Sequence, residues 1–103
     1  MKQRDCVLTL VFPVSIEEDL VDHLLEHPEW VTGFTNSRVE GQGQAVRLHG
    51  SAEQVRGRSR RVQVQLVMNR EDAQALVGLL RETLPNPEIV YWMIPLLEFG
   101  RFA

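Results

Sequence analysis

The residues best equipped for chemistry lie between positions 38 and 61. Arg38 is followed by Glu40-Gly41-Gln42-Gly43, then by Arg47 and His49, and then by Glu53-Gln54-Val55-Arg56-Gly57-Arg58-Ser59-Arg60-Arg61. A Gly-x-Gly backbone lets amide N–H groups approach an anion closely. Clustered guanidinium groups offer bidentate contacts to phosphate or carboxylate. Gly41, Gln42 and Gly43, with Arg58, Arg60 and Arg61, are therefore candidate anion ligands. The G-x-x-x-x-G-K-[ST] loop and the G-x-G-x-x-G fingerprint are both absent. A solvated loop on a basic base accounts for the same residues, and spacing does not separate the two readings. Arg61 alternates with Gln63 and Gln65. That polar ladder is expected to face solvent, a neighbouring subunit or a ligand cleft.

Three histidines are the weaker candidates. His23 and His27 stand at i and i+4, a spacing at which two imidazoles can share one divalent metal ion. A third ligand is needed, for which His49 is available, and no H-E-x-x-H signature supplies it. Both helical histidines fall beside Ile16 and Leu20 on a helical wheel, which favours a packed or interfacial role over a metal site. Cys6 sits in the apolar run Cys6–Phe12 and reads as a small buried hydrophobe. No Ser-His-Asp or paired-carboxylate spacing is present, and Trp30, Tyr91 and Trp92 read as packing residues.

Composition limits what these residues can serve. A chain of 103 residues is expected to form one domain. It carries 11 Lys+Arg against 14 Asp+Glu, a net charge of −3. Such a balance argues against a general nucleic-acid binder, which is basic as a whole. The charge is uneven, however. Residues 1–29 are acidic, while residues 38–61 hold six Arg and two Glu. A single cysteine excludes an intramolecular disulfide and suits a reducing compartment. The longest N-terminal apolar run is too short to span a membrane. The expected address is the cytoplasm, without membrane insertion.

The elements that must position the basic segment follow from pattern. Cys6–Phe12 is rich in β-formers, is apolar on both alternating sets, and predicts a central strand. Ser15 to about His27 predicts a helix, with Ser15 and Glu18 at capping-box spacing and Ile16, Leu20, Val21, Leu24 and Leu25 on its apolar face. Val31–Val39 predicts a second strand, entered through Gly33. Residues of about 40–60 form a long glycine-containing loop. Arg60–Met68 alternates cleanly, with Val62, Val64, Leu66 and Met68 on one side, and predicts a third strand. Asn69 caps a second helix with Glu71 and Asp72 in its first turn and Ala73, Leu76, Leu79 and Leu80 as its apolar face. Pro85-Asn86-Pro87 ends it. Ile89–Leu97 is a last strand, which Pro95 demotes to an edge.

The order β-α-β-β-α-β predicts a ferredoxin-like α+β sandwich with a four-stranded antiparallel sheet. Helices cover one face of such a sheet. The first and last strands are apolar on both faces, so a bare second face would be a large apolar patch. Oligomerisation through that face is the economical expectation.

The long glycine-containing loop, Glu53-Gln54-Val55-x-Gly57-Arg58-x-Arg60-Arg61 and the closing Tyr91-Trp92-x-x-Pro95-x-x-Glu98-x-Gly100 together resemble the PII-like signalling proteins. The chain is most similar to the small PII-like proteins encoded beside heavy-metal efflux pumps of the resistance-nodulation-division type. The resemblance runs through nearly the whole chain and implies a non-enzymatic regulator. It implies a homotrimer with the open sheet faces turned inward. An adenine nucleotide or other small effector would bind in the intersubunit clefts. The 40–60 loop would signal to a protein partner, such as a membrane efflux transporter. Carried over by position, Gly41 and Gly43 match the start of the loop, Arg58, Arg60 and Arg61 its return, and Glu53, Gln54 and Gly57 the motif between. The pattern departs in two places. Leu84-Pro85-Asn86-Pro87-Glu88 stands where PII proteins carry a glycine-rich phosphate loop, and no tyrosine lies in the 40–60 loop. The copper-tolerance protein CutA shares the trimeric architecture. The alternative it offers is a divalent-metal-binding trimer using His23, His27 or His49.

Overall fold

The two apolar sets of the first strand decide the architecture. In the computed structural model, which describes residues 3–42 and 58–103, this strand is β1 (Cys6–Pro13). It lies in the middle of a four-stranded sheet of order β2-β3-β1-β4. The other strands are β2 (Thr35–Gln42), β3 (Arg58–Met68) and β4 (Val90–Pro95), and all neighbours are antiparallel. Cys6, Leu8, Leu10 and Phe12 point to one face. They pack there with Val62, Val64, Leu66 and Met68 of β3 into a single core. Two helices, α1 (Glu17–Leu25) and α2 (Arg70–Thr83), cover this face with Leu20 and Leu24, and with Ala73, Leu76, Val77 and Leu80. The result is the expected α+β arrangement, with β4 at an edge.

The first helix departs from its predicted start. Pro13, at φ −62° and ψ 145°, leads into a 3-10 turn at Val14–Ile16, and α1 begins only at Glu17. Ser15 lies inside that turn, so no Ser15–Glu18 capping box forms; Ile16 takes the cap position without a side-chain hydrogen bond. Glu17, Glu18 and Asp19 still fill the first turn, where carboxylates suit the helix dipole. At the other end Leu25, expected on the apolar face, is 63% exposed. Leu20 and Leu24, one turn apart, face the core, and Leu25 lies about 100° further round the helix axis.

The second strand is displaced along the chain. Val31 is buried, but it serves the core from a turn, with its N–H donating to the His27 carbonyl at 2.9 Å. Pairing begins only at Thr35, opposite Gln65, and runs to Gln42, opposite Arg58. The expected loop therefore gives up residues at both ends to a β-ribbon, because Glu40–Gln42 find ladder partners in Arg58–Arg60 despite Gly41.

The second helix is as predicted at both ends. Asn69 Oδ1 accepts the Glu71 N–H at 2.9 Å, and Leu84 leaves helical geometry before Pro85. Val77 is buried in the place expected for Leu79.

The far face of the sheet is open. Across it run Val67, Val7 and Ile94; Gln65, Thr9 and Trp92; and Gln63, Val11 and Val90. Val90, Trp92 and Ile94 are each about half exposed, at 48%, 45% and 50%. No helix among the described residues is long and apolar enough to cross a membrane.

Candidate functional site

The basic segment enters and leaves the sheet as the β2–β3 ribbon. Its register places Val39 opposite Arg61, Glu40 opposite Arg60, Gly41 opposite Ser59 and Gln42 opposite Arg58. Glu40 and Arg60 are thus directly opposed charges on one side of the ribbon, an arrangement that favours the pairing. Val14, Arg38, Val39, Glu40, Arg60 and Arg61 line a cleft of about 740 Å³ at the ribbon's base.

Each arginine there is held differently. Arg38 Nη2 lies 3.0 Å from Glu17 Oε1 in the first turn of α1. This joins the ribbon to the helix, although a pair this exposed adds at most about 1 kcal/mol. Arg60 is exposed. Arg61 is the exception to the predicted polar ladder, because it is only 7% exposed. A guanidinium withdrawn from water requires hydrogen bonds. Its Nη1 donates to the Glu88 carbonyl at 3.0 Å. Glu88 belongs to a turn after α2, in which its own N–H donates to Asn86 Oδ1 at 2.9 Å and the Ile89 N–H donates to the Asn86 carbonyl at 3.0 Å.

Of the residues singled out in the sequence, Gly41, Gln42, Arg58, Arg60 and Arg61 are brought together in the ribbon. Gly43, His49, Glu53, Gln54 and Gly57 lie outside the described residues. The Arg38–Glu17 pair and the Arg61–Glu88 contact are not legible in the sequence. Nothing in the spacing of such distant positions announces their contact, and the only signal is the basic excess of residues 38–61.

The histidines are engaged locally. His23 Nδ1 donates to the Asp19 carbonyl at 2.8 Å. His27 Nδ1 lies 3.0 Å from Glu29 Oε1, and its ring stacks on Trp30 with centroids 5.4 Å apart. Glu29 is held below the usual carboxylate range, first by its own backbone N–H and then by His27. Among the described residues no group of three or more His, Cys, Asp or Glu is placed to hold a metal ion. Cys6 is buried, and desolvation, followed by the charge of Asp5, raises its thiol pKa. It is poorly suited to nucleophilic work.

The model of a family described as proteins of unknown function, DUF3240, matches residues 2–103. The chain belongs to the DUF3240 family. A solved DUF3240 protein from Shewanella baltica has 20% identity and a TM-score of 0.77, with 99% of this chain and 100% of that one covered. A nitrogen regulatory PII-like protein, CPII, from Thiomonas intermedia superposes with a TM-score of 0.70 at 15% identity, covering 96% of each chain. That structure holds ADP, AMP and bicarbonate. A putative PII-like signalling protein from Thermus thermophilus gives a TM-score of 0.62 at 17% identity, covering 89% of this chain and 86% of that one. No curated protein sequence matches significantly. At these identities the likeness shows the fold: this DUF3240 chain has the fold of the PII-like signalling proteins.

Proposed function

We propose that this DUF3240 protein is a non-enzymatic regulator of the PII type, acting in the cytoplasm. It closes into a trimer across its open sheet face. It binds a small anion, an adenine nucleotide first among them, in intersubunit clefts that include the base of the β2–β3 ribbon. Effector binding alters the 40–60 segment, which carries the signal to a protein partner. The resemblance to proteins encoded beside metal efflux pumps makes a membrane efflux transporter the partner class to test.

The observation that carries this reading is the gathering of Arg38, Arg60 and Arg61 around one cleft, on the ribbon that bears the rest of the basic segment. Three positive side chains stand beside two carboxylates there, Glu17 and Glu40, with the Arg61 guanidinium turned to the Glu88 carbonyl, which leaves the site positive within an acidic protein. The shared fold supports the ligand class, since the Thiomonas protein binds nucleotides and bicarbonate. The coupling between effector and partner is bounded by the effector's differential affinity for the two states of the segment.

The test is a thermal-shift and calorimetry series with ATP, ADP, AMP and bicarbonate. A ligand at about 100 times its Kd adds about 2.7 kcal/mol of stability. A shift that Arg60→Ala weakens at least tenfold in Kd, with folding intact, supports the reading. No response to any nucleotide or to bicarbonate overturns the ligand class.

A further inference from the structure

Pairing between β1 and β4 stops at Val11 and Val90. Beyond that point β1 continues to Pro13, which has no N–H, and the chain opposite runs through Ile89 to Glu88. The gap is crossed by a side chain from the third strand. Arg61, beside Pro13 in the sheet, reaches the Glu88 carbonyl at 3.0 Å with its guanidinium almost wholly buried. On its other side Arg61 is opposite Val39 of the ribbon and forms part of the cleft.

We propose that Arg61 is a positioning residue that latches the β2–β3 ribbon to the α2–β4 turn, so that the base of the ribbon and residues 86–89 shift together. Arg61 is withdrawn from water, so drawing the Glu88 carbonyl away from it weakens a hydrogen bond at a buried charge, and Arg61 is expected to follow the turn within the ribbon. Asn86 holds the turn on both sides of Glu88: its Oδ1 accepts the Glu88 N–H, and its carbonyl accepts the Ile89 N–H of the peptide unit that carries the Glu88 carbonyl. An effector or partner that contacts the turn thereby changes the cleft, and one that fills the cleft changes the turn. This deepens the regulator reading and rests on it for its biological meaning, whereas the mechanical link can be tested without any ligand.

The experiment is amide hydrogen exchange by NMR on the whole protein. Asn86→Ala alters only the turn. It is expected to raise exchange at least fivefold at residues 39–42 and 58–61, across the sheet from the substitution. Amides of Leu8, Leu10, Val64 and Leu66 should stay within twofold. Arg61→Met should raise exchange in both segments, and in that background Asn86→Ala should add nothing at the ribbon. Arg61→Lys keeps the charge but has a shorter reach to Glu88, and is expected to restore coupling only in part. A ribbon indifferent to Asn86→Ala, or effects that simply add in the double variant, overturns the latch. If Arg61→Met does not fold, Asn86→Ala alone still decides. A failed latch leaves nucleotide binding to be judged separately, and absent nucleotide binding leaves the latch standing.

Discussion

The open sheet face offers the sharpest test of the proposed trimer. Val90, Trp92 and Ile94 retain 48%, 45% and 50% of their surface. Full burial of such a side chain is worth about 1.5–3 kcal/mol, so covering the exposed half gives roughly 1 kcal/mol each. Three residues supply about 3 kcal/mol per protomer, and three protomers about 9 kcal/mol per trimer. Each of the two associations that make a trimer costs on the order of 4–15 kcal/mol, so assembly needs this patch together with the rest of the interface. Ile94→Asp removes roughly 1 kcal/mol of that gain and adds an unpaired carboxylate to a covered apolar surface, a cost of several kcal/mol. The expected loss is at least about 100-fold in assembly per protomer, since each ~1.4 kcal/mol is tenfold. Ile94 points away from the helices, so the variant should keep its circular dichroism. Light scattering coupled to gel filtration, and sedimentation equilibrium, read the mass directly. A trimeric wild type and a folded monomeric variant are expected. A monomeric wild type at micromolar concentration, or a variant that remains trimeric, refutes the argument that this face is closed by copies of the chain.

Further consequences concern single residues. Asn69→Ala removes the acceptor of the Glu71 N–H at the start of α2 and is expected to cost about 1 kcal/mol in urea denaturation. Gly78 lies in α2 with open space around its would-be Cβ, so Gly78→Ala should stabilise the protein by roughly 0.5–1 kcal/mol, seen as a raised Tm. Cys6 should resist iodoacetamide under mildly alkaline conditions until the protein is unfolded, because burial raises its pKa. The sign of its linkage follows: the unfolded thiol ionises first, so stability is complete below the ordinary thiol pKa and declines as pH rises through it. Cys6→Ala should remove that alkaline decline.

Local signals were reliable wherever one residue type had one physical use. The alternation of Val62, Val64, Leu66 and Met68 could only place them on a buried face. Asn69 followed by Glu71 and Asp72 could only begin a helix, and Pro85 could only end one. Signals failed where the same residue serves two structures equally. Val31 is as useful in a turn over the core as in a strand, and Ser15 is as compatible with a 3-10 turn as with a helix cap. Gly41 reads as loop because glycine weakens strands, yet the partner strand supplies ladder bonds that outweigh that preference.

For the candidate site the division is similar. The excess of arginine between residues 38 and 61 is plain in the sequence, and with it the sign of the charge a ligand there must carry. Which arginines share a cleft depends on the β2–β3 register, fixed by pairings distributed along both strands. That Arg61 is buried, and engaged by the Glu88 carbonyl, depends on contacts among β3, Pro13 and the turn after α2. Sequence thus determined the elements, their order and the chemistry of the basic segment, because these rest on periodicity and local propensity. Tertiary structure alone decided which charges meet and which of them is buried. Those outcomes belong to the packing of distant segments, which no neighbour along the chain encodes.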